Sequence, residues 1–204
     1  MIEVIVIVAA VLVLAAIYVS RPQGCKVSAT QMACVNNLKQ VAIAFRVWAQ
    51  DHDSRYSMMT PLNRGGTREF AATGVVAPHF QVMSNELNTP KILRCPADKT
   101  RSAAAGFSTG FADAHISYFV SLDAEDTLPY MFLAGDADLC RGISPVGSGL
   151  FHVKTNGLVW SNQRHIRRGN VALADGSVQS FSDSALTNAL QNTGYPGTFR
   201  LALP

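Results

Sequence analysis

The chain has 204 residues, a net charge of +3 and a charged fraction of only 15%. That length leaves room for a helix and one domain of roughly 150 residues built on a single core. With no basic block and no interleaving of arginine with aromatics, nucleic acid is not supported as a partner.

Much of the 48% apolar content is gathered in the first twenty residues. Residues 2–19 are apolar apart from Glu3, and as a helix they would span about 27 Å, close to the thickness of a bilayer's hydrocarbon. The run VIVIVAAVLVLAAIYV is rich in β-branched residues, but lipid forces a segment to satisfy its own backbone and so favours helix. A cleaved signal would need a basic n-region and a shorter apolar stretch. Pro-Gln-Gly before Cys25 does not fit a lipoprotein signal. A retained anchor over residues 1–20 is therefore the expectation. Glu3 is costly in lipid and reads either as functional or as resting at the headgroup interface beside the helix N-terminus.

Pro22 and Gly24 predict a kink just past the span. The amphipathic second half of the helix is expected over 21–53. There Cys34, Leu38, Val41, Phe45 and Trp48 form an apolar stripe, with Asn36, Asn37, Lys39, Arg46 and Gln50 facing elsewhere. The stripe assigns Cys34 and Trp48 to the core, and the helix is expected to end near Asp51–Ser54.

The rest, 54–204, reads as one globular domain. Pro61, Gly65, Gly66, Gly74, Pro78, Pro90 and Pro96 punctuate a loop-rich stretch, with a short helix around Gln81–Leu87 and an exposed segment at Ser102–Asp113. Strands are predicted at Ser117–Leu122 and at Tyr130–Ala134, the latter before a Gly135-Asp136 turn. Asn170–Phe181 is a hairpin around Asp175-Gly176, read as a type I′ turn. Val159–Trp160 adds a strand, and Ser184–Gln191 a closing helix before a Gly194–Gly197 turn.

Four cysteines, Cys25, Cys34, Cys95 and Cys140, include no C-x-x-C pair and no histidine at zinc-finger spacing, so a structural zinc site is not expected. Disulfides are allowed in three connectivities, and Cys34 and Cys95 read equally as buried thiols.

His165, nine residues and then Asp175-Gly176 form an H-x9-D-G element. Cys34-Val-Asn-Asn-Leu-Lys-Gln40, Asn85 to Asp98 (with Cys95-Pro96), Ser117-Tyr-Phe-Val and Ala172 to Gln179 precede or surround it in order. This ordered set resembles a pilin-like family abundant in planctomycetes and verrucomicrobia, related to type IV pilins and type II secretion pseudopilins. The resemblance implies an α+β pilin-like fold, a long N-terminal helix with a membrane-spanning first half packed on a small antiparallel sheet. It implies a non-enzymatic filament subunit with no cofactor, partnered through that helix by other subunits, membrane lipid and an inner-membrane assembly platform. It also implies Glu3 as the carboxylate that meets a neighbour's N-terminal amine, and Cys34, Asn37, Leu38, Lys39, Cys95, Pro96, His165, Asp175 and Gly176 as structural motif residues.

The sequence departs from that pattern. It starts Met-Ile-Glu, whereas the family has a basic leader ending in Gly and a Glu at the fifth mature position. Either the start lies upstream or processing differs. Arg21 and Lys26 by themselves would place the domain in the cytoplasm; the resemblance favours a single-pass inner-membrane protein with its domain outside.

No serine or cysteine lies in a nucleophile-elbow context, so no catalytic residue is assigned. Asp175 and Gly176 are explained by their turn, and His165 by a cross-sheet hydrogen bond or a subunit contact. Asp123, Glu125, Asp126, Asp136 and Asp138 offer the hard oxygens calcium prefers, but at no EF-hand spacing, and solvated loop carboxylates are the plainer reading. His152, Arg164, Arg167 and Arg168 read as a solvated basic patch. Beside the filament subunit stands a second reading, a membrane-tethered binding module that does not polymerise. A tethered hydrolase comes third.

Overall fold

The computed structural model describes residues 23–154 and 157–204, with 7 and 11 besides; along the first helix, side chains are described from Ala29 on. Helix α1 (Gln23–Gln50) is the longest element. Its expected stripe is buried throughout: Cys34, Leu38, Val41, Phe45 and Trp48 expose no more than 3%. Ala42, Ala44 and Ala49 widen the stripe at little cost in side-chain entropy. The helix closes at Gln50, where Asp53 and Ser54 turn left-handed and Ser54 N–H donates to the Ala49 carbonyl. Gly24 is helical, at the start of α1; Pro22, the other half of the expected kink, lies outside the described residues.

The pilin-like fold with a membrane-spanning first half is corrected, and with it the single-pass inner-membrane placement. Among the described residues, no helix is long and apolar enough to cross a membrane. The physical reason in α1 is its composition: the apolar stripe is spent on the sheet, while exposed Asn36, Lys39 and Gln40 occupy the other side. Most of the segment expected to be the anchor, Glu3 included, lies outside the described residues. What the chain shows is a helix followed by an antiparallel sheet domain.

Five single 3₁₀ turns and two short helices fill residues 57–115. The helix expected over Gln81–Leu87 is divided into α2 (Ala77–Gln81) and α3 (Ser84–Leu87). Pro78 fits the first turn of α2, and Asn88 at φ +60° stops α3.

The domain is organised by a six-stranded antiparallel sheet. Its strands are β1 (Tyr118–Ser121), β2 (Phe132–Asp136), β5 (Gly149–Val153), β7 (Arg168–Leu173), β8 (Val178–Ser182) and β9 (Phe199–Leu203), in the order β5-β9-β1-β2-β7-β8. A three-stranded sheet holds β4 (Ser144–Pro145), β3 (Leu139–Arg141) and β6 (Leu158–Trp160) in that order. Helix α1 packs over β7, β8 and β2, and α4 (Asp183–Gln191) sits on β6 and β8. Ser182 caps α4 by accepting from the Ala185 N–H.

Two turn expectations change. Gly135-Asp136 is not a turn: β2 runs through both, with Tyr118 opposite Asp136 and Phe119 opposite Gly135. A Cβ on Gly135 would stand 2.7 Å from Phe119 Cζ, so glycine is there for close approach across the sheet. The Asp175-Gly176 hairpin is present, but among its turn residues only Gly176 has a positive φ, +87°. Gly176 N–H donates to Leu173 C=O, and Leu173 N–H to Ser177 C=O. This is the three-residue hairpin with a left-handed glycine and not the two-residue type I′ form.

Candidate functional site

The motif residues of α1, the Cys95 segment, β1, β2 and the approach to β7 converge on one buried polar seam between helix and sheet. Cys34 on α1 is bonded to Cys95, closing a separation of 61 residues with Cα atoms 5.2 Å apart. One helical turn along, Asn37 Nδ2 donates to the Arg94 carbonyl at 3.2 Å. The Cys95 segment is thereby fixed to α1 by a covalent bond and a hydrogen bond from one helix face.

His165 enters from the other side. Its Nε2 lies 3.3 Å from Cys95 Sγ and 3.6 Å from Asp136 Oδ2, and the ring is buried. Asp136 is completely buried at the end of β2 and accepts from Asn170 N–H at 2.8 Å and Asn170 Nδ2 at 3.0 Å. Its Oδ1 has no hydrogen-bond partner among the described residues. Burial raises the Asp136 carboxyl above the ordinary carboxylate value, against the opposing pull of His165, the Asn170 hydrogen bonds and Arg164. Tyr118, opposite it in the sheet, is raised well above the usual phenol value by burial and then by the Asp136 charge.

A second carboxylate anchors the seam's edge. Asp98 accepts from Ser117 Oγ at 2.8 Å and from Thr100 N–H and Oγ1 at 2.9 and 2.7 Å. Arg164 Nη2 is 2.7 Å from Asp98 Oδ2, and its Nη1 donates to the Ser117 carbonyl at 2.8 Å. Burial alone would raise this carboxyl; Thr100, Arg164 and Ser117 outweigh it and hold it below its ordinary value. Arg164 and His165 thus act as adjacent pegs, one for each carboxylate.

The backbone beyond them explains how both point inward. Ile166 and Arg167 adopt left-handed φ values of +51° and +55°, an unfavourable conformation above all for a β-branched residue. The kink is held by Arg167, whose N–H donates to Ser161 C=O at 3.2 Å and whose guanidinium is 2.9 Å from Asp183.

The remaining sequence candidates separate. Leu38 is core; Lys39 and Pro96 are exposed. Asp175 and Gly176 lie at the far end of the β7–β8 hairpin, where Arg46 donates to the Asp175 carbonyl and Tyr56 Oη donates to the Ala174 carbonyl at 2.8 Å. The two ends of the H-x9-D-G element are thus fastened at separate places, His165 against Cys95 and Asp136, and the Asp175 turn against Arg46 of α1 and Tyr56. Of the five acidic residues considered for calcium, Asp123 is taken by Arg200, with Oδ1 2.5 Å from Nη2. Asp136 lies in the seam and Asp138 accepts from Ser161 Oγ. They do not converge. The basic patch loses Arg164 to Asp98. Sequence reasoning missed Asp136 as a seam residue because Gly135-Asp136 has the composition of a turn; Asn170 carried no signal beyond its place in a strand.

Cys95, His165 and Asp136 lie together, but not as a hydrolase triad. Cys95 is in a disulfide, and both neighbours meet the same ring nitrogen, so the imidazole cannot be oriented by one while taking a proton from the other. No family model, no curated protein and no solved structure matches the chain.

Proposed function

We propose that the chain is a non-enzymatic structural subunit of a filament, of the kind built in type IV pili and type II secretion, whose helix is shared between neighbouring copies. The observation that carries this reading is the outer face of α1. Met32, Ile43 and Val47 expose 58%, 59% and 42%. At about 100° per residue they fall on one face, opposite the Cys34–Trp48 stripe and interspersed with the exposed Asn36, Lys39, Gln40 and Gln50. Ile7 and Val11, four residues apart and helical, are exposed as well. Apolar side chains aligned on a helix are a contact surface in waiting, and a contact between unlike faces that repeats without closing builds an open filament. The seam adds to the reading: motif residues used to lock helix to sheet suit a rigid building block. The ordered resemblance described above points to the same class.

The test is the assembly state of the purified full chain by sedimentation and electron microscopy, with a photocrosslinking amino acid in place of Ile43 to capture whichever residue of a neighbour lies against it. Concentration-dependent polymers and interchain crosslinks through position 43 are expected. A monomer at every concentration, with no crosslink, sinks the proposal.

One feature favours a second reading, a monomeric ligand-binding module. A groove of about 520 Å³ is lined by Tyr130, Leu173, Gln179, Phe181, Asn188 and Asn192. Tyr130 is 64% exposed. An open aromatic ring among neutral amides suits a neutral polyhydroxylated ligand such as a saccharide. Chemical-shift changes confined to that groove on adding neutral oligosaccharides, in a chain that stays monomeric, would favour this reading over the first.

A further inference from the structure

The seam contains a donor set that the disulfide conceals. Cys34 Sγ, Cys95 Sγ and His165 Nε2 all lie within 4.8 Å of one another, and all three residues are buried. Zinc is bound tetrahedrally by thiolate at about 2.3 Å and imidazole at about 2.0–2.1 Å, so neighbouring donors stand roughly 3.5–3.8 Å apart. Cys95 Sγ and His165 Nε2, at 3.3 Å, already approximate one such edge. Once the disulfide is broken, the two sulfurs need only part by side-chain rotation. Asp136 borders the His165 corner of this set: Oδ2 is 3.6 Å from His165 Nε2, and Oδ1 is a buried carboxylate oxygen without a hydrogen bond among the described residues.

We propose that the reduced chain holds one thiophilic divalent cation of the zinc class between Cys34 Sγ, Cys95 Sγ and His165 Nε2, with the Asp136 carboxylate against the His165 ligand. Disulfide and metal are alternative fastenings of the same seam. A dithiol breaks the Cys34–Cys95 bond by giving up two electrons and two protons; it closes to its own disulfide and leaves two thiols. The cation then replaces the two thiol protons. A dication with two thiolates is neutral, as the disulfide was, so the exchange adds no net charge to a buried region where an unpaired charge would be costly. Either fastening ties α1 to the Cys95 segment; only the metal form also recruits His165. This inference is independent of whether the chain forms filaments.

The experiment uses the full chain with Cys25→Ser and Cys140→Ser, so that only Cys34 and Cys95 can supply thiolate. The protein is reduced with a dithiol, desalted without oxygen and titrated with Co²⁺ as a spectroscopic probe. Expected are one Co²⁺ per chain, a thiolate-to-cobalt charge-transfer band, the visible bands of a tetrahedral site, and displacement by Zn²⁺. His165→Gln should form the disulfide normally yet weaken cobalt binding by at least about 10–100-fold. The oxidised chain should give no band. A reduced chain that loses structure but regains its circular dichroism on adding Zn²⁺ also supports the site. No charge-transfer band at stoichiometric Co²⁺, a band that His165→Gln leaves unchanged, or a reduced chain that metal fails to refold would each overturn it.

Discussion

His79 shows most plainly how one side chain couples stability to pH. It is completely buried, its Nδ1 lies 2.7 Å from Thr67 Oγ1, and its Nε2 has no partner among the described residues. Burial lowers its pKa from 6.5 to about 4. The folded chain therefore binds the proton more weakly than the unfolded chain does. The stability this contributes is fully present above pH 6.5 and is lost as pH falls from 6.5 toward 4, by up to about 3 kcal/mol. Asp136, raised by burial, acts in the opposite sense, favouring the fold as its carboxyl takes up a proton. A comparison with His79→Leu isolates the histidine. Urea midpoints of the parent should fall between pH 7 and 4.5, and those of the variant should change much less. At pH 7 the variant should already be about 1–3 kcal/mol less stable, because it strands the Thr67 hydroxyl. Parallel pH profiles would show that His79 is not the group responsible. Tyr56 answers at the other end. Its phenol, pushed up to about 12 chiefly by burial, keeps a stabilising contribution below pH 10 that is lost as pH rises from 10 through 12.

The fastening of the β7–β8 turn to α1 is an interaction between elements and is tested as one. Gly176 combines a left-handed φ of +87° with close contact, since a Cβ there would lie 2.9 Å from Arg46 Cδ. Gly176→Ala should destabilise by about 1–2 kcal/mol from backbone conformation alone, with the clash adding to it. Arg46→Ala removes both the obstacle and the hydrogen bond to the Asp175 carbonyl. The double variant should then cost less than the sum of the singles, a coupling that denaturant curves resolve when it exceeds about 0.5 kcal/mol. Strict additivity would mean that turn and helix do not sense each other. The disulfide joins elements as well. Bridging 61 residues, it stabilises by about 4 kcal/mol in the chain-entropy account, and reduction in metal-free buffer should lower the urea midpoint accordingly. These elements also mark how far the sequence could be read. The α1 stripe and the β7–β8 hairpin were legible because each rests on a local signal, a 3.6-residue period and Asp-Gly; α4 was placed to within a residue, though its Ser182 cap was not singled out. Strand β9, placed between β5 and β1, was not legible, because its pairing depends on partners about 50 and 80 residues distant in the chain. Gly135-Asp136 misled for a related reason: a glycine needed for contact with Phe119 is identical in sequence to one needed for a turn. The seam was half visible. Its residues were singled out as motif positions, but that Cys34, Cys95 and His165 meet follows only from the fold.

At the scale of the whole molecule, α1 has two faces with different duties, and the proposal stands on keeping them apart. The inner face ends in the core, where Leu38, Val41 and Phe45 are fully buried; a charge there would unfold the domain and report nothing on assembly. The outer face is free of such duty in the single chain. Ile43→Asp with Val47→Asp replaces two exposed apolar side chains, so the monomer's thermal midpoint should stay nearly unchanged, exposed substitutions usually falling within about 0.5 kcal/mol. In a filament the same two positions would be covered by a neighbouring copy, and each new carboxylate would be desolvated without a partner, at several kcal/mol per contact. Because the contact recurs at every subunit, the penalty recurs with it, and assembly should be abolished and not merely weakened. Sedimentation of the double variant beside the parent, with circular dichroism melts of both, reads the two quantities separately. An unchanged melt with lost assembly assigns the outer face to subunit contact. An unchanged melt with assembly intact removes the Ile43–Val47 face of α1 from the interface, and with it the observation on which the filament reading rests.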